Sequence, residues 1–150
     1  MSDKKILTRE EAKKVYPEKI WAIEDIYASD RLWEDDLAKL KGYSEKAVFY
    51  KGKLSNAENL FSYMKIQDEL TYLISNLINY AQRKSDEDAG EGKYQDMCAR
   101  LMSVLSDYFA AASFETPEII SIDEEKYQGL FKEKKELEVY RRYLDRVRTQ

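Results

Sequence analysis

The chain contains no histidine and a single cysteine, Cys98, and these two scarcities exclude more functions than any motif suggests. Without histidine there is no Ser-His-Asp triad and no Cys-His pair, and with one cysteine no ordinary zinc site can be built from this chain alone. A lone cysteine forms no disulfide framework and fits a reducing compartment. Glycine and proline are also scarce, with five and two in 150 residues. A β-sandwich needs a turn every ten residues or so, which argues against an all-β fold. The unbroken apolar stretches are only a few residues long, too short to span a bilayer. Near the N-terminus only Ile6-Leu7 forms an apolar run, so no signal peptide is expected. These features lead us to expect a cytoplasmic chain without a membrane partner.

What is present suits one domain. The chain is 43% hydrophobic and 36% charged, and its length is enough to bury roughly two thirds of the surface that the unfolded chain exposes. The net charge of −4 is mild and argues against a dedicated nucleic-acid binder. It is unevenly spread: residues 126–150 hold eight Lys/Arg against four Asp/Glu.

Helix signals dominate. Thr8-Arg9-Glu10-Glu11 reads as a capping box opening a short helix that Pro17 ends. Residues 20–27, with Trp21 and Tyr27 near the two ends, read as an ordered connector packed on the core. Ser29-Asp30 starts a helix on which Trp33, Leu37, Leu40 and Ala47 trace one stripe, with a kink or break expected near Gly42. Tyr50-Lys51-Gly52-Lys53-Leu54 reads as a connector. Ser55-Asn56-Ala57-Glu58 reads as a second capping box, opening a run to about Lys84 that is free of Gly and Pro. Leu60, Met64, Leu70, Leu73, Leu77 and Tyr80 keep helical spacing there, and Phe61, Ile74, Ile78 and Ala81 widen the apolar face. So broad a face predicts a central helix covered on more than one side.

Ser85 to Gly92 reads as a polar loop. A further helix is predicted from Lys93 to Ser113, with Tyr94, Met97, Leu101, Leu105, Tyr108 and Ala112 inward. Thr116-Pro117 looks like an N-cap followed by proline at the first helical position. Asp123 is expected to cap one last helix through Leu130, Leu137, Tyr140, Leu144 and Val147. That pattern still runs at Arg148-Thr149-Gln150, so a cut end is expected. The expected fold is a single all-α domain of residues 1–150, an antiparallel bundle of long helices with residues 1–20 as a short extension.

No constellation carries catalysis. Asp86-Glu87-Asp88 invites a calcium reading, but the sixth and twelfth positions of an EF-hand loop would be Glu91 and Met97 instead of Gly and Glu. Gly90-Glu91-Gly92-Lys93 has the wrong glycine spacing for a phosphate loop. Asp35-Asp36 and Glu124-Glu125 point to different sides of a helix. Cys98 lies in a helical pattern beside Met97 and reads as a small buried hydrophobe. The basic residues Lys132, Lys134, Lys135, Arg141, Arg142, Arg146 and Arg148 alternate with Glu133, Glu136, Glu138 and Asp145, as on a solvated helix face. Twelve tyrosines and two tryptophans remain, read as core with part of the aromatic surface available to another domain or a groove.

The order of segments carries a resemblance. Trp21, then Glu24-Asp25-Ile26-Tyr27-Ala28-Ser29-Asp30 and Trp33-Glu34, are followed by Tyr50-Lys51-Gly52-Lys53-Leu54-Ser55. Tyr80-Ala81, Asp86-Glu87-Asp88 and Tyr94-Gln95 come next, then Pro117-Glu118-Ile119-Ile120 and Tyr140-Arg141-Arg142-Tyr143-Leu144-Asp145. In that order the chain resembles the N-terminal domain of oligoendopeptidase F, a zinc metallopeptidase of the thimet-oligopeptidase kind. Trp21-Ala22-Ile23 departs from it, standing where the family has Trp-Asp-Leu.

The resemblance implies a parent several times longer, whose catalytic domain holds zinc through His-Glu-x-x-His and a further Glu. None of those residues is in this chain, so no catalytic, cofactor-binding or metal-ligating position is expected here, and no channel-facing residue is assigned. The implied role is non-catalytic: shaping the channel that admits oligopeptides and packing on the catalytic domain. The alternative is a free-standing helical protein-interaction module.

Overall fold

The computed structural model describes residues 26–88, 90 and 92–149. The predicted helix before Pro17, the Trp21-Ala22-Ile23 departure and the 1–20 extension lie outside them. Six α-helices and two 3₁₀ segments make up the described part, with no strand among the described residues. The expectation of an all-α domain holds. Helix α1 runs Asp30–Phe49, α2 Ala57–Glu87 and α3 Gly92–Ala111. A 3₁₀ turn, Ala112–Phe114, leads directly into α4, Glu115–Ile120. Helix α5 spans Glu124–Glu133, a 3₁₀ segment Lys135–Tyr140, and α6 Arg141–Arg148.

The three long helices pack on one another, consecutive ones antiparallel, because each carries one apolar face. On α1 the buried residues are Trp33, Leu37, Leu40 and Ala47, the predicted stripe. The α1 helix passes through Gly42 without a break; the glycine is on the exposed side, where its cost is a weaker helix and not a kink. Helix α2 is central and, at 31 residues, about 46 Å long. Its N-terminal half is sandwiched between α1, α3 and the α5–3₁₀ layer. The buried Trp33 donates its indole N–H to the Leu77 carbonyl at 2.9 Å, tying α1 to α2. Every buried residue among those described is hydrophobic.

Several predicted boundaries move. The α2 cap is Asn56, whose side-chain oxygen accepts from the Asn59 amide at 3.0 Å, so the box expected at Ser55 is shifted by one residue. Ser85, Asp86 and Glu87 belong to α2, leaving a shorter loop, because their backbone can extend the helix into solvent. Thr116 is not an N-cap: α4 begins at Glu115, and Pro117 falls in its first turn, where no intrahelical N–H is lost. The last predicted helix is two. Lys134 adopts an extended conformation (φ −134°, ψ 93°) that ends α5. Beyond this turn the chain stays on the core: Leu130 and Phe131, then Leu137, then Leu144 and Val147 are all buried. Helix α6 comes back against α4.

Candidate functional site

Hydroxyl-to-carboxylate bonds from tyrosines hold the elements in place. Asp30, at the start of α1, accepts from the Tyr80 hydroxyl of α2 at 2.5 Å and the Tyr94 hydroxyl of α3 at 3.4 Å, and also pairs with Lys93. Tyr27 donates to Asp36 at 2.7 Å and stacks edge-on against Tyr80. Tyr127 of α5 donates to Asp145 of α6, and Tyr140 donates to Asp68 of α2 at 2.6 Å. Glu115 takes two hydroxyls, Tyr63 on one oxygen and Tyr143 on the other, each at 2.8 Å, joining α2, α4 and α6. A phenol is suited to joining layers, because its ring fills core volume while its hydroxyl finds an acceptor at the edge.

These contacts set the local electrostatics. Burial, with Glu115 beside it, pushes the Tyr63 phenol far above its ordinary value. Burial and the Asp68 carboxylate push Tyr140 up to about 12. Burial alone would raise Asp30, but Lys93 and the Tyr80 hydroxyl outweigh it and hold that carboxyl below its usual value. Hydrogen bonding to Arg100 holds Glu34 low, through a two-pronged pair at 2.6 and 2.8 Å.

The connector between α1 and α2 is anchored differently. Glu118 of α4 accepts from the backbone amide of Gly52 through one oxygen and from that of Leu54 at 3.2 Å through the other. Gly52 has φ +80°, the left-handed conformation that glycine tolerates best. Arg148 donates to the carbonyls of Ile119 and Ile122 at 2.9 and 2.7 Å, satisfying the end of α4, and pairs with Glu124. Arg141 forks onto Glu138 and stacks on Phe131 at 3.9 Å. Arg141 and Arg148 of the basic C-terminal stretch are therefore engaged within the fold, while Lys132, Lys135, Arg142 and Arg146 lie on its exposed side.

The concave surface is modest. A cleft of about 320 Å³ is lined by Gln67, Tyr108, Phe109, Glu115 and Tyr143 among others. A neighbouring one of about 280 Å³ shares Gln67 and Tyr143 and adds Asp68, Thr71 and Tyr140. The Gln67 side-chain oxygen accepts from Tyr108 at 2.9 Å, whereas its Nε2 has no partner. The first cleft is lined mainly by polar atoms and the second mainly by apolar ones, with Phe109 and Tyr143 exposed at their rim and no group placed as nucleophile or base.

The residues weighed from sequence are not assembled into a centre. Asp86 accepts from Gln82 on α2, Asp36 is taken by Tyr27, and Glu124 by Arg148 and Gln128. Cys98 is half-buried, and burial followed by Asp86 raises its thiol, the opposite of what a reactive cysteine needs. No group of three or more His, Cys, Asp or Glu placed to hold a metal occurs among the described residues. With no histidine besides, the residues present do not fit a zinc site, and no hydrolytic step is derived from them. Sequence reasoning missed the acceptors Glu115, Asp36 and Asp68; the available signal was the excess of tyrosine. The segments that carry the resemblance meet one another in space: Asp30 with Tyr80 and Tyr94, and Gly52 and Leu54 with Glu118.

Geometry thus defines a helical-bundle domain bound together by tyrosine–carboxylate pairs. No family model matches the chain. It is 31% identical over 134 residues to oligopeptidase PepF of Bacillus subtilis, covering 89% of this chain and 20% of that protein. It is 24% identical over 128 residues to group B oligopeptidase PepB of Streptococcus agalactiae, covering 85% and 21%. The crystal structure of oligoendopeptidase-F from Enterococcus faecium superposes with a TM-score of 0.69 at 28% identity, over 79% of this chain and 24% of that one. The chain is a homologue of the N-terminal part of oligoendopeptidase F. It spans about a fifth of the length of these curated relatives.

Proposed function

We propose that this chain is the helical, non-catalytic N-terminal domain of a zinc oligoendopeptidase that hydrolyses short peptides in the cytoplasm. In this reading it forms part of the wall of the substrate channel and packs against the catalytic domain of the same polypeptide. The carrying observation is the alignment of nearly the whole chain with about a fifth of proteins named as oligopeptidases, in a segment that contains no histidine. Zinc and its ligands belong, in this account, to the remainder of the parent. What this chain supplies is shape and rigidity: a bundle whose elements are fixed by bonds such as those converging on Glu115 and Asp30.

Among the described residues no helix is long and apolar enough to cross a membrane, in keeping with a peptidase that meets its substrates in water. The test is hydrolysis of a fluorogenic oligopeptide by the purified chain with added zinc, beside the parent protein. Cleavage by the parent alone is expected. Zinc-dependent cleavage by the purified chain would overturn the non-catalytic assignment, and an inactive parent would overturn the peptidase one.

A further inference from the structure

Helices α2 and α3 leave one shared flank uncovered. On α2, Gln67, Thr71, Ile74 and Ile78 recur at spacings of four, three and four, a single helical face. On α3, Cys98, Met102, Leu105 and Phe109 recur at the same spacings. The two helices are antiparallel and in contact, and Gln67 lies in one cleft with Phe109, so the stripes run side by side. Beside the N-terminal half of α2, the 3₁₀ segment and α6 close this flank through Tyr140 and Tyr143. Beyond them it is open. Met102 is 54% exposed and Phe109 63%, while Ile74, Ile78 and Cys98 are only partly buried.

We infer that the α2–α3 flank centred on Met102 and Phe109 is the seat of an amphipathic helix from the remainder of the same polypeptide, continuing the layer that α6 begins. The inference rests on reading the chain as one domain of a longer protein. The relatives are more than four times its length, so in this reading most of the polypeptide lies outside this bundle and must pack somewhere. The flank offers a helix apolar surface: the exposed Met102 and Phe109 of α3, with the partly buried Ile74 and Ile78 of α2, while Gln67 and Thr71 make the α2 stripe polar toward the end that α6 closes. Its one cysteine supplies a reporter, because Cys98 is unique in the chain.

The experiment measures alkylation of Cys98 by iodoacetamide, quantified by peptide mass spectrometry, in the 150-residue chain and in the native parent. Coverage of the flank predicts labelling at least ~10-fold slower in the parent, because a covered thiol neither ionises nor meets the reagent. Equal rates in a parent larger than 17.7 kDa overturn this inference and leave the domain assignment standing. A native polypeptide of only 17.7 kDa removes the occupant and the assignment together. Protection that appears in the 150-residue chain as its concentration rises overturns it in favour of a second copy. A paired substitution, Met102→Lys with Phe109→Lys, gives an independent reading. The melting temperature of the isolated chain should stay within about 2 °C, whereas that of the parent should fall by more than about 5 °C. An unchanged parent overturns the inference.

Discussion

Glu115 offers the sharpest test of how this domain is held together. Its two oxygens accept from Tyr63 and Tyr143, each at 2.8 Å, yet the two donors differ in environment. Tyr63 is fully buried, whereas Tyr143 is 40% exposed. Removing the carboxylate in Glu115→Ala strands the Tyr63 hydroxyl, while Tyr143 can turn to water. Hydrogen bonds to a charged group contribute about 1.5–3 kcal/mol, and a stranded buried hydroxyl costs about 1–3 kcal/mol. Glu115→Ala should therefore cost about 2–3 kcal/mol. Tyr63→Phe should cost about 1.5 kcal/mol, and Tyr143→Phe less than about 1 kcal/mol, in line with exposed pairs. Urea unfolding followed by circular dichroism gives each value, and double-mutant cycles give the couplings. The Tyr63–Glu115 coupling should exceed about 1 kcal/mol and the Tyr143–Glu115 coupling should fall below about 0.5 kcal/mol. Equal couplings, or a Tyr63–Glu115 coupling near zero, would refute the view that buried hydroxyl–carboxylate bonds join the layers.

Other expectations follow from the same contacts. Gly52→Ala meets no atom within 4 Å but forces a Cβ into φ +80°, so it should cost about 1 kcal/mol, or roughly 2–4 °C in thermal midpoint. Arg148→Lys keeps the charge but loses the second terminal nitrogen, so one group can no longer hold Glu124 while donating to the Ile119 and Ile122 carbonyls, and should cost about 1 kcal/mol in urea unfolding. In acid, a carboxyl held below its unfolded value stabilises the fold above that value and loses its contribution as the pH falls through the folded one. The Asp30 and Glu34 contributions should therefore disappear below their unfolded values of 3.8 and 4.5, and Asp30→Asn should flatten that limb. In alkali the tyrosines act in the opposite sense: a raised folded value keeps stability intact below 10 and erodes it above. Ultraviolet titration should show most phenols ionising late, together with cooperative unfolding. With no histidine to titrate, stability should be flat between about pH 6 and 9.

Legibility followed the range of the interaction. The α1 stripe of Trp33, Leu37, Leu40 and Ala47 is a local pattern with a 3.6-residue period, and burial matches it residue for residue. The broad face of α2 likewise announces a central helix, although Tyr63, one of its fully buried residues, is not among the residues of the predicted stripe. The break at Lys134 carries no glycine or proline. Leu130, Leu137 and Leu144, spaced by seven, read as one face of a single helix, whereas Lys134 turns extended and is held over Phe61 and against Glu58. Partners such as Tyr140 and Asp68, or Gly52 and Glu118, lie more than sixty residues apart, so spacing alone could not join them. The ordered segments that carry the family resemblance contain several of these partners, which explains why their order is informative while each alone is weak. For the site, the residues alone indicate what the chain lacks; the open α2–α3 flank requires the fold.

The central claim is that this bundle works as one domain of a longer peptidase, and the size of the native polypeptide tests it most directly. An antibody raised against the 150-residue chain should detect, in extracts of the source cells, a band several times larger than 17.7 kDa. A band at 17.7 kDa would contradict the account and identify a stand-alone helical protein that shares only ancestry with the peptidases.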